Sequence, residues 1–365
     1  MPSPSSLPFP WGRGYLPSLD GWRALSIVQV LGAHCAEVSG FPPSWQTSFI
    51  WLFDGNLGVR CFFLISGFLI TTLMLRESAE RGKLDLKGFY LRRFIRILPV
   101  YAVFLFVVAL LQQFTSFDQP VQQWLHLLTF TTNFSSVGNW LTGHTWSLAC
   151  EEQFYFIWPV LFLTCGLGFI RGRILLLLIP ILVCPLWRIV TYLQTFAGNN
   201  LFLGFSFFYY LDSLAIGCLL AYAHPWLGRN LHRIHISVWI VTCLLLVIIP
   251  YVLRKAFVLG IFTVPLGDLC QAVGLSLLIS LSVHRPALGA FRFLNLKPVV
   301  WIGMISYSLY IWQQIFCTSP ATFGWSYSPA LQFPWWIASA FVTATISDYM
   351  LERPLVNLRK RLHNP

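Results

Sequence analysis

Residues 144–160, HTWSLACEEQFYFIWPV, set a histidine seven residues ahead of two adjacent carboxylates and then run into apolar residues. An imidazole can take or give a proton near neutral pH, and a carboxylate beside it can fix its tautomer and stabilise its cation. His144, Glu151 and Tyr155 follow a 0, 7, 11 spacing that lines one helical face, with Glu152 about 100° round from Glu151. If a span begins near Trp146, Glu151 sits about 8 Å inside it. There it needs a cationic or hydrogen-bonding partner, or it is protonated. Glu151 reads as a base, as the orienting carboxylate of a nearby histidine, or as half of an ion pair locking two helices.

A second set lies upstream, in LDGWRALSIVQVLGAH. Arg23 and His34 are eleven residues apart, almost three helical turns, so they share one face about 16 Å apart along the axis. Glu37 follows His34 by one turn, close enough to orient its ring. The plainer readings are an interfacial arginine and a histidine satisfied by a neighbouring helix. In FYLRRFIRILPVY, Arg92, Arg93 and Arg96 crowd one helix start. They serve either to orient the span or to clamp phosphates bidentately. Arg60, Arg188, Asp212, Asp268 and Asp348 are also embedded in apolar stretches, where structural ion pairs account for most such residues.

These side chains must be carried by membrane helices. The 365-residue chain is 56% hydrophobic and only 10% charged, roughly half the charge of a soluble domain. Apolar runs of about twenty residues recur from end to end, as spanning helices require, without the short alternating segments of a barrel. Ten spans are predicted, at 22–40, 57–76, 97–113, 146–170, 174–195, 206–223, 236–253, 261–283, 299–318 and 333–352. The net charge of +11 does not point to nucleic acid, because the basic residues fall in short loops between spans. Nineteen of the 24 Lys and Arg lie in segments that are inner if the N-terminus is cytoplasmic. That asymmetry predicts both termini inside and the 114–143 loop, which lacks Lys and Arg, outside. Within this loop VQQWLHLLTF reads as a short amphipathic helix on the membrane surface.

The nine cysteines, odd in number and without paired spacing, read as packing residues rather than a disulfide framework or zinc site. No cleavable signal peptide is expected at the Pro- and Ser-rich start. The expectation is an all-α polytopic protein, one membrane domain over residues 1–365, with no soluble domain in its loops.

Seven stretches occur in a fixed order: LDGWRALSIVQVLGAH, GVRCFFLISGFLITTLMLRE, FYLRRFIRILPVY, HTWSLACEEQFYFIWP, LDSLAIGCLLA, ISYSLYIW and LERPL. Together they cover about residues 19–356 and resemble the acyltransferase 3 family of integral-membrane O-acyltransferases. The resemblance implies about ten spans in a bacterial-type inner (cell) membrane. It also implies transfer of an acyl group, usually acetyl, from a coenzyme A thioester to a hydroxyl. The usual acceptor is a cell-envelope saccharide, sometimes a small molecule. Matched by position, His34 is the catalytic histidine, Arg23 its paired arginine, and Arg93 and Arg96 the arginine-x-x-arginine element associated with the donor. The chain departs from the family at Gln313, where histidine commonly follows LYLW. It departs again at Tyr210, where arginine often stands two residues before the aspartate of LDSL.

A cytoplasmic donor and an outer acceptor require a buried centre reachable from both faces. On this reading His34 is the general base, or itself carries the acyl group, with Glu151 or Glu37 as its orienting carboxylate. Arg92, Arg93, Arg96 and Arg23 bind acetyl-CoA or another acyl-CoA. His144, Glu152, Tyr155 and Arg60 serve the acceptor side. A transporter or flippase of envelope precursors would favour broken spans in two matching halves, and no such symmetry is found. A non-catalytic scaffold would not need Arg23 and His34 on one face. The expected partners are acyl-CoA, a saccharide or lipid-linked glycan and membrane lipid, with neither metal nor nucleic acid.

Overall fold

Apolar runs without internal β-branched alternation fold here as helices. The computed structural model describes residues 16–36, 38–136, 138–165, 169–196, 207–233 and 235–356, and among them there is no strand. The helices are α1 (Pro17–Cys35), α2 (Pro43–Leu52), α3 (Gly55–Arg81), α4 (Leu86–Phe114), α5 (Val121–Leu128) and α6 (Trp140–Gly143). They continue as α7 (Thr145–Thr164), α8 (Ile170–Phe196), α9 (Phe207–Asn230), α10 (Ile236–Lys255) and α11 (Gly260–Phe262). The last are α12 (Asp268–His284), α13 (Gly289–Arg292), α14 (Lys297–Met304), α15 (Ser306–Phe316) and α16 (Trp335–Ser347).

Some helix lies within each of the ten predicted stretches, and among the described residues five helices are long and apolar enough to cross a membrane. The stretch predicted as one span over 299–318 is two helices, α14 and α15, parted at Ile305, whose φ of −87° and ψ of 4° leave the helical region. A helix also stands where VQQWLHLLTF predicted one, as α5. α2 was not predicted; all its apolar side chains lie outside the core.

Contacts gather into two compact units, each assembled from distant segments of the chain. The first comprises the start of α1, Val59–Leu84 and Trp146–Val300. Within it α3 and α9 approach each other backbone to backbone. A Cβ on Gly67 would lie 2.1 Å from the Leu214 carbonyl oxygen, and one on Gly217 would lie 2.2 Å from that of Leu64. Only glycine permits this reciprocal approach, the device by which helices associate where lipid removes the hydrophobic drive.

The second unit comprises Ala24–Gly58, Asp85–Thr145 and Trp301 onward. α4 is its backbone. Ile97, Val100, Tyr101, Phe104, Leu105 and Val108 are buried at helical spacing, so one stripe of α4 faces the packed interior. α15 runs parallel to that stripe. Tyr307 donates to the Ile97 carbonyl at 2.8 Å, and further along Trp312 packs edge-on to Phe104 with ring centroids 5.9 Å apart. Tyr101 reaches out to the Leu127 carbonyl at 2.9 Å and so ties the 114–143 loop to α4.

Candidate active site

α1 continues unbroken through His34 and presents that imidazole in its last turn. Nδ1 of His34 lies 3.0 Å from Oε1 of Gln313 on α15. The amide nitrogen of Gln313 donates to Oε1 of Gln314 at 3.1 Å. The atom of Gln313 that faces the ring is its carbonyl oxygen, an acceptor, so Nδ1 carries the proton and Nε2 carries the lone pair. No partner among the described residues meets Nε2. At Nδ1 the orienting group is thus a neutral amide, where the sequence pointed to a carboxylate of Glu151 or Glu37. A carboxamide fixes the tautomer without burying a charge. Glu37 itself lies outside the described residues.

Three further contacts hold the ring's surroundings. The Cys317 thiol, at the C-terminal end of α15, donates to the His34 carbonyl at 3.6 Å. The Trp140 indole N–H donates to the Cys317 carbonyl, and its ring stands edge-on to His34 with centroids 5.2 Å apart. α15 therefore grips the end of α1 at both side chain and backbone, and it does so two turns beyond the level where Tyr307 meets α4.

His144 stands between α6 and α7, ahead of the apolar run. Its ring packs edge-on against Phe104 and Tyr310, with centroids 5.6 and 5.5 Å away, and Tyr310 donates to its carbonyl at 3.0 Å. Burial, reinforced by the charge of the nearby His34, pushes its imidazole down to about 3. His144 is therefore a neutral group of this cluster. Arg92, Arg93 and Arg96 lie in the opening turns of α4, with Arg96 exposed and the other two half-buried. Arg96 precedes Phe104 by eight residues, about 12 Å along the helix. In the second unit, then, α4 and α15 connect the arginine cluster to His144 and His34.

The other candidates belong to the first unit. Arg23 pairs with Asp20 on its own helix at 3.6 Å. Glu151 accepts hydrogen bonds from Ser66 of the ISGFLI stretch and from Tyr155 one turn along α7. Glu152 is half-buried. Arg60 is fully buried in an ion network that spans five helices. It pairs with Asp268 at 2.5 Å and Asp212 at 3.7 Å, while Arg188 also bonds Asp212 and Arg254 reaches Asp268 at 2.6 Å. Its guanidinium lies 4.8 Å from the ring centroid of Tyr210, the position where the family often has arginine. The embedded charges expected to pair do so here. Gln313 and Trp140 were not singled out as functional, because neither carries a charge. The signal that could have found Gln313 is a pair of amides in an otherwise apolar helix.

A family profile described as an acyltransferase domain matches residues 16–352. The peptidoglycan O-acetyltransferase OatA of Listeria monocytogenes is 29% identical, over 94% of this chain and 56% of its own. The O-acetyltransferase OatA of Staphylococcus aureus is also 29% identical, over 82% of this chain and 50% of its own. The chain thus spans about half the length of the curated relatives it matches. No solved structure matches it. With a profile match over nearly all of its length, the chain belongs to the acyltransferase 3 family.

Proposed function

We propose that this protein is a multi-pass inner-membrane O-acetyltransferase, with ten spans and both termini cytoplasmic. It would move an acetyl group from cytoplasmic acetyl-CoA to a hydroxyl of an extracytoplasmic or lipid-linked saccharide. The observation that carries the reading is the His34–Gln313 pair, which leaves Nε2 as the proton acceptor at the edge of a packed cluster. The names of the relatives, O-acetyltransferases of which one acts on peptidoglycan, support the saccharide acceptor.

In this mechanism His34 Nε2 takes the proton of the acceptor hydroxyl as its oxygen attacks the thioester carbonyl. The C–O ester bond forms, the C–S bond breaks, and the imidazolium returns its proton to the departing thiolate. Gln313 holds the ring so that Nε2 faces the reaction throughout. Arg92, Arg93 and Arg96 grip the donor phosphates, since guanidinium groups bind them bidentately. Arg23 lies on the same face of α1 as His34 and acts on the donor side. Glu151, Glu152, Tyr155 and Arg60 are assigned to the acceptor side. Purified protein in vesicles, supplied with radiolabelled acetyl-CoA and envelope glycans, should transfer label to the glycan. Label that remains on the donor or in water with every glycan tested would refute the reading.

A further inference from the structure

Trp140 occupies a place that packing alone does not explain. Leu141, Thr142 and His144 beside it are buried, yet Trp140 keeps 39% of its surface exposed. It is nevertheless held rigidly. Asn139 caps α6 by accepting from the Thr142 amide at 3.2 Å, and it donates in turn to Gln119. Gln119 donates to Thr142 at 3.1 Å, which closes a ring of neutral hydrogen bonds under the tryptophan. The indole N–H is fixed on the Cys317 carbonyl, the residue whose thiol holds the His34 backbone. An exposed aromatic ring is thus locked in one orientation, 5.2 Å from the candidate base.

The surroundings define what that ring would take. Residues 114–143 contain no Lys or Arg, so the site does not attract phosphate. The polar groups beside Trp140 are amides and hydroxyls, together with the Asp118 backbone carbonyl, which accepts from Asn139 at 3.4 Å. A pyranose matches this set. One of its faces presents C–H bonds polarised by the ring oxygens, which suit the electron-rich face of an indole. Its rim of hydroxyls suits planar amide groups and hydroxyls.

We infer that Trp140 is the acceptor-binding platform, on which a neutral hexose ring stacks so that one of its hydroxyls reaches His34 Nε2. This rests on the saccharide reading above and makes it specific. A platform already fixed in place loses little entropy on binding, so its contribution goes to affinity and to the choice of hydroxyl.

The test uses the full chain in lipid nanodiscs with radiolabelled acetyl-CoA and the β-1,4-linked tetramer of N-acetylglucosamine as acceptor. Trp140→Ala should raise KM for the tetramer roughly tenfold, the size of one lost stacked ring. Its kcat should stay within about threefold of wild type, as should KM for acetyl-CoA, because the donor lies on the other side of His34. Trp140→Phe, which keeps an aromatic face, should recover most of the acceptor affinity. A fall in kcat with unchanged acceptor KM would show that Trp140 merely props His34, and would overturn the platform. So would an unchanged tetramer KM in both variants, or a rise in KM for acetyl-CoA alone. Wild-type protein that acetylates no saccharide would remove the functional reading and the platform together. Thermal unfolding of each variant in nanodiscs separates loss of binding from loss of fold.

Discussion

The amide of Gln313 stands 3.0 Å from the imidazole of His34, a pairing across 279 residues of sequence. Because the amide turns its oxygen to Nδ1 and its nitrogen to Gln314, it dictates which ring nitrogen carries the proton. Gln313→Ala should lower kcat about a hundredfold, the scale at which a misplaced or wrongly protonated base loses efficiency. KM for acetyl-CoA should hardly move. Gln313→Glu keeps an acceptor at Nδ1 and should retain more activity than the alanine variant. Steady-state rates in vesicles decide, and equal rates for Gln313→Ala and wild type would refute the tautomer assignment.

His34→Ala removes the base itself. Transfer should fall by about a thousandfold or more, within the range attributed to general base catalysis with correct orientation. Binding of acetyl-CoA, followed by calorimetry on nanodisc-embedded protein, should persist. Near-normal transfer in this variant would remove His34 from the mechanism.

Arg93→Ala and Arg96→Ala should each raise KM for acetyl-CoA about tenfold with little change in kcat, as loss of a charge-assisted bidentate contact predicts. Lysine at either position should restore only part of the affinity, since it offers a point charge in place of a planar fork. Unchanged donor KM in both alanine variants counts against the clamp.

In the first unit, Asp212 accepts from Arg188 and faces Arg60, and all three side chains are fully enclosed. Asp212→Ala leaves two buried guanidinium groups to share Asp268, with Arg188 only 3.6 Å from it, and should cost about 3–5 kcal/mol. Arg254→Ala should cost clearly less, because Arg254 is partly exposed and its loss leaves Asp268 with Arg60. Gly217→Ala would press a methyl against the Leu64 carbonyl and should separate α3 from α9. Midpoints of thermal unfolding in detergent should rank Arg254→Ala above the other two, and any other order contradicts this account of the network.

The sequence by itself determined the helices and their class, because both are local matters. A run of about twenty apolar residues in lipid must satisfy its backbone internally, and a helix does so whatever packs beside it. It also marked His34, Glu151 and Arg60, since an ionisable group in an apolar run stands out by its solvation cost. The tertiary structure alone decided their partners. Gln313 reaches His34 because α15 lies along α4 and ends beside α1. Glu151 meets Ser66 and Tyr155, and Arg60 meets two aspartates from α9 and α12. Neutral groups such as Gln313 and Trp140 carry no charge that would mark them by solvation cost, and the break at Ile305 falls inside a stretch that reads as a single span. Their roles come from distances between helices far apart in the chain, and those distances follow from side-chain packing and close glycine contacts that no local pattern encodes.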